Sequence, residues 1–139
     1  MIESNPRGIR LNNPCNIRIS SSAWRGKITP SEDPNFEQFD TAHNGIRAAV
    51  VLFRHYTLFY GLNTVDGLIN RWAPSVENNT TAYVLDVANR MVVRSTDCLN
   101  MSDAATLKSF IEAVIWHEEG IQPYGDDVIL AAVQDALEG

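Results

Sequence analysis

The run Leu107-Lys108-Ser109-Phe110-Ile111-Glu112-Ala113-Val114-Ile115-Trp116-His117-Glu118-Glu119-Gly120 carries an apolar stripe that ends on a carboxylate. Leu107, Phe110, Ile111, Val114 and Ile115 recur at helical spacing and mark one buried face. The next step of the stripe is Glu118, three residues after Ile115, four after Val114 and seven after Ile111. Glu119 falls toward the edge of the face, where a solvated surface role is expected. Gly120 stops the helix at the C′ position. A carboxylate at the end of an apolar stripe is costly unless it is paired or retained for chemistry. Partial desolvation raises a carboxyl pKa, so Glu118 is expected to hold its proton at rest and serve as a general acid. The competing reading is a helix-end carboxylate bound to a backbone N–H or to Arg47 or Arg71.

Working outward from this run, the chain reads as mostly helical. A helix is expected over about Thr41 to Tyr60, capped by Asp40 or Thr41 and ended by Gly61. Others follow over about Val65 to Trp72, capped by Thr64 and stopped before Pro74, and over about Thr80 to Met91, capped by Asn78 or Asn79. The quoted run belongs to a helix from about Asp103 to Glu119 with Ser102 as its cap, and a last helix covers about Asp126 to Leu137. Residues 5–40 are rich in Asn, Pro, Ser and Gly and show no helical period. Short extended pieces fit there at Asn16–Ile19, Trp24–Ile28 and Phe36–Phe39. The expected fold class is mainly α (α+β): a helical domain with a small N-terminal β or irregular lobe. A cleft between the two is a natural ligand site.

The 139 residues suffice for one domain with a real core and are too few for two. The formal net charge of −6 argues against a nucleic-acid partner, and mildly against attraction to anionic polymers such as bacterial cell wall. No apolar stretch follows Met1, so no signal peptide is expected, and no run is long enough to span a membrane. Cys15 and Cys98 fit no metal spacing and are expected to be free thiols. His117 has no second His at i+4, and His43 and His55 are scattered, so no metal or cofactor is expected.

Three further clusters bear on chemistry. Asn12-Asn13-Pro14-Cys15-Asn16-Ile17-Arg18 is dense in side-chain amides, which bond either their own turn or a polar ligand. Sugar recognition uses such amides with aromatic plates, and Trp24 follows closely. Trp72-Ala73-Pro74 ends a helix and offers either core packing or a groove wall. Tyr83 heads the face of the next helix, either as a core aromatic with its hydroxyl at the rim or with that hydroxyl aimed at a reacting centre.

Asn13-Pro14-Cys15-Asn16-Ile17-Arg18, Trp24-Arg25-Gly26, Phe36-Glu37-Gln38-Phe39-Asp40 and Asn44-Gly45-Ile46-Arg47-Ala48 together resemble lysozyme-like proteins of bacteriophages, virion proteins among them. The resemblance continues through Asn70-Arg71-Trp72-Ala73-Pro74, Glu77-Asn78-Asn79-Thr80 and Tyr83-Val84 to His117-Glu118, across nearly the whole chain. A wider similarity extends to cell-wall glucosaminidases and lytic transglycosylases. There the helix ending in the catalytic Glu comes first, whereas here it comes last, which reads as a circular permutation. The resemblance implies a single lysozyme-like domain over residues 1–139. Its implied activity is cleavage of peptidoglycan glycan strands, as an endolysin or virion enzyme. Glu118 takes the catalytic acid position and Tyr83 that of the active-site Tyr. Asn13, Asn16, Arg18, Trp24, Trp72, Asn78 and Tyr124 become the substrate-binding candidates. Cys15 departs from the Gly expected after Asn-Pro, and a need for positive φ there would make the loop adjust.

Glycosidic cleavage needs a proton for the leaving oxygen, and hydrolysis usually uses a second carboxylate. Glu32, Asp33, Glu37, Asp40 and Glu77 are the candidates. Lack of a partner favours a lytic transglycosylase over a muramidase. Implied partners are peptidoglycan strands and virion components, with no nucleic acid and no membrane. The protein would reside in the host cytoplasm or virion and act in the periplasm or cell wall. The alternatives are an inactive virion structural or assembly protein and a glycan-binding module.

Overall fold

The computed structural model describes residues 5–75 and 78–139. Its elements are α1 (Arg7–Arg10), α2 (Ala42–Tyr60), α3 (Val65–Trp72), α4 (Thr80–Met91), α5 (Ala104–Glu119) and α6 (Asp126–Glu138). The protein is mainly helical, and five of these elements match the expected helices closely. Their starts are chemically capped. Thr41, Thr64, Asn79 and Asp103 each accept a hydrogen bond from a backbone N–H three residues on. For α5 the cap is therefore Asp103 and not Ser102, because the Asp103 carboxylate reaches the Thr106 N–H at 3.0 Å. Gly61 and Gly120 close α2 and α5 in the left-handed conformation, at φ 68° and 72°.

The N-terminal segment departs from expectation twice. A short helix, α1, forms where no helical period was read, since four residues are too few to show one. The expected extended pieces meet only in two isolated antiparallel bridges, Arg18 with Phe36 and Lys27 with Phe39. This lobe is otherwise irregular.

α2 packs along α6, and α5 lies against α4, α6 and α2, with α1 crossing its C-terminal end. Leu107, Phe110, Ile111, Val114 and Ile115 are all fully buried, as the stripe requires. Phe53 of α2 joins the layers, stacked on Trp72 of α3 at 4.2 Å and edge-on to Phe110 of α5 at 4.8 Å. Cys15, Ile17 and Phe39 of the lobe enter the same hydrophobic cluster, so the lobe is part of the core and not an appendage. The lobe sits tight on α2. A Cβ at Gly45 would run into the Asn12 carbonyl. On the opposite side Asp135 of α6 accepts from His43 at 2.7 Å and pairs with Arg25, joining the lobe, α2 and α6.

Asn13, expected to bind substrate, is a structural clamp. It is fully buried, its Nδ2 donates to the Ile17 and Glu37 carbonyls, and its Oδ1 accepts from the Ile17 N–H at 2.9 Å. All of its polar capacity is spent inside the lobe, because backbone groups buried there need partners. Asn13→Ala leaves the Ile17 N–H without an acceptor, and a loss of about 2 kcal/mol in unfolding free energy is expected by denaturant titration.

Candidate functional site

A cleft of about 650 Å³ separates the lobe from α2, α3 and α5. Asn16, Arg18, Trp24, Trp72, Asn78 and Glu118, all singled out from the sequence, line it. Trp72-Ala73-Pro74 forms one wall, while Trp72 also stacks in the core, so both readings of that Trp hold. A second hollow of about 200 Å³ adjoins, lined by Asn78, Asn79, Ala82, Tyr83, His117 and Glu118. Glu118 and Asn78 are common to the two, which puts Glu118 between the two hollows.

Hydrogen bonds fix the Glu118 carboxylate. The Tyr83 hydroxyl donates to Glu118 Oε2 at 2.6 Å. Burial first, and then the Glu118 charge, push the Tyr83 pKa well up, so the phenol stays a donor. The His117 ring stacks on Tyr83 at 3.7 Å and is itself held by Asp86 at 2.8 Å. On the far side Asn16 Nδ2 donates to Glu118 Oε1 at 2.7 Å and to Glu119 Oε2 at 3.1 Å. Neither Arg47 nor Arg71 pairs with Glu118. Arg47 lies near Asp135, and Arg71 stacks over Tyr60.

The sequence reading misplaced the more deeply desolvated carboxyl. Glu119, expected at the solvated edge, is buried, at 9% exposure, while Glu118 is only partly buried and faces the groove. Burial, and secondarily the neighbouring Glu118 charge, push Glu119 up from the ordinary 4.5 to about 7. The reason is α1, which a period search could not see. Gly8 lies directly against the Glu119 carboxylate, where a Cβ would collide with it. A side chain at position 8 would make the Glu119 carboxylate shift from this place.

The departure at Cys15 needs no adjustment of the loop. The left-handed residues are Asn12 (φ 54°) and Asn16 (φ 56°), a conformation asparagine tolerates, and Cys15 is not among them. Its side chain is fully buried and free, and Cys98 is free and exposed. Tyr124, expected to bind substrate, does not line the groove. It packs against the core with its hydroxyl buried and without a partner, its pKa pushed up to about 12 by burial, with the nearby Glu119 charge adding to it.

No second carboxylate among the described residues faces Glu118 across the groove. Glu37 is buried on Lys27 at 3.0 Å. Asp33 accepts turn N–H groups from Asn35 and Phe36, Asp40 accepts from Asn44, and Glu32 is exposed on a loop outside the lining. Glu77 lies outside the described residues. Sequence reasoning missed Arg7 and Phe36, which also line the groove.

Because the folded state favours the protonated Glu119, its contribution to stability is full below the ordinary value and is lost as pH rises toward 7. Glu119→Gln keeps the shape and removes the charge. Thermal melts of the wild type are expected to fall between pH 4.5 and 7 relative to those of Glu119→Gln. Parallel profiles for the two proteins would rule out a buried, titrating Glu119.

No family model matches the sequence. Over 126 residues the chain is 40% identical to Protein P5 of Pseudoalteromonas phage PM2, an alignment covering 88% of this chain and 77% of that protein. At that identity and coverage the two share ancestry along most of their length. The chain belongs to the family of phage proteins that includes Protein P5 of PM2.

Proposed function

We propose that this phage protein cleaves the glycan strands of peptidoglycan, with Glu118 as general acid and then general base. The observation that carries the reading is the Glu118 carboxylate held by Tyr83 and Asn16 at the junction of two hollows. A strand laid along the groove brings a glycosidic oxygen to that junction. A mainly helical protein in which Glu118 ends a helix beside an irregular lobe supports this reading.

The steps follow from the residues. Glu118 gives its proton to the glycosidic oxygen as the C1–O bond breaks, leaving an oxocarbenium-like sugar and a carboxylate. The Tyr83 hydroxyl, pre-aimed at Oε2, stabilises that carboxylate as it forms. Trp24 and Trp72 supply apolar faces, and Asn78 an amide, for the sugar rings. Closure then has two routes. Glu118 takes a proton from water as it adds to C1, or from the sugar's own 6-hydroxyl as that oxygen bonds C1 and leaves an anhydro end. With one carboxylate in the lining among the described residues, the second route is favoured, assisted by the substrate's acetamido group.

A second reading, a virion component that grips glycan without cutting it, draws on the phage ancestry and the overall negative charge. Mass spectrometry of digested peptidoglycan separates the two. Wild type is expected to release anhydro-ended fragments and Glu118→Gln, folded, to release none. Activity in Glu118→Gln overturns the assignment, and no release by wild type at any pH or salt supports the gripping role. Tyr83→Phe removes one donor to Glu118, and turnover is expected to drop roughly 10- to 100-fold with the fold intact by circular dichroism.

A further inference from the structure

Tyr83 carries a ring on one of its faces that the cleavage steps do not use. The His117 imidazole stacks there, 3.7 Å between centroids with the planes 27° apart. His117 is itself only partly buried and lines the hollow beside Glu118. A ring in such a place turns about its side-chain bonds unless something holds it. Asp86 holds it. An ionised carboxylate only accepts, so His117 Nδ1 carries a hydrogen and donates it to Asp86 Oδ2, at 2.8 Å. Asp86 is tied in turn by Arg90, whose Nε donates to Oδ1 at 2.9 Å.

The sequence places these groups together. Tyr83, Asp86 and Arg90 stand at i, i+3 and i+7 on α4, which is one face of that helix. α4 packs against α5, and His117 lies in the last turn of α5 directly before Glu118. Partly exposed ion pairs such as Asp86 with Arg90 and His117 add little to stability. Their consequence here is orientation. Contact runs from Asp86 to the His117 ring, from that ring to the Tyr83 ring, and from the Tyr83 hydroxyl to Glu118 Oε2. A donor aids a carboxylate that forms during the reaction only if it is aimed beforehand, and small losses of aim are costly in rate.

We propose that Asp86 and His117 are positioning residues for the cleavage step: Asp86 clamps the His117 ring against Tyr83, and the clamped ring keeps the Tyr83 hydroxyl aimed at Glu118. This role rests on the glycan-cleavage reading of the groove. Neither residue exchanges a proton with the substrate.

A double-mutant cycle on turnover of soluble peptidoglycan strands tests the clamp, with folding checked by circular dichroism. His117→Ala is expected to lower kcat roughly fivefold with KM unchanged, less than Tyr83→Phe does, because it acts through that residue. Asp86→Ala, at a partly exposed position, is expected to lower kcat to a similar degree. Asp86→Asn keeps an acceptor for Nδ1 and is expected to lose less. Tyr83→Phe has no hydroxyl to aim, so adding His117→Ala to it is expected to cost nothing further. Unchanged kcat in either His117→Ala or Asp86→Ala overturns the clamp and leaves the glycan reading standing. A full further loss on the Tyr83→Phe background, or a rise in KM in place of the fall in kcat, makes His117 a substrate contact and also overturns it. If His117→Ala does not fold, Asp86→Ala on the Tyr83→Phe background decides by the same rule. A wild type without turnover removes the glycan reading and this role with it.

Discussion

One amide group, the Nδ2 of Asn16, bonds carboxylates on two successive residues. Adjacent glutamates on a helix point about 100° apart, so a single donor reaches both only from a fixed place at the helix end. The left-handed turn at Asn16 sets that place, and it depends on Asn13 clamping the turn from inside and on Cys15 filling the core beneath it. The lobe's irregular backbone is therefore held by buried hydrogen bonds where strands would otherwise hold it. From Asn16 the constraint passes through Glu118 to Tyr83, which belongs to the same hydrophobic core as Phe53. Glycan chemistry, if Glu118 performs it, draws on a carboxylate whose orientation the hydrophobic core sets.

The two glutamates divide the work that one was expected to do. Glu118 has the access and the aimed donors. Glu119 has the desolvation, under α1. With a pKa of about 7, Glu119 changes charge near neutrality directly behind the residue proposed to transfer a proton. The Glu118 charge, one residue away and bound to the same Asn16 amide, adds to the effect of burial on Glu119.

Charge is also distributed against the chain's average. A net −6 argues against binding an anionic polymer at long range, yet Arg7 and Arg18 both line the groove and both approach the Phe36 ring. Net charge governs approach, and local charge governs what is held after contact. The acidic balance read from composition is thus silent about the groove.

The sequence by itself determined the five longer helices, because apolar periodicity, Thr and Asn caps and C-terminal glycines are local signals that tertiary packing only reinforced. It also determined that the α5 stripe runs out on glutamate, and it picked most of the groove-lining amides and aromatics by type. Only the tertiary structure decided which glutamate is covered. Glu118 and Glu119 lie one residue apart on the same helix end, and their burial differs because α1, too short to show a period, rests its Gly8 on one of them. The same holds for Asn13 and Asn16, three residues apart and chemically identical. One turns its amide into the lobe and the other into the groove, and that choice belongs to a loop conformation fixed by long-range packing, which no local pattern encodes.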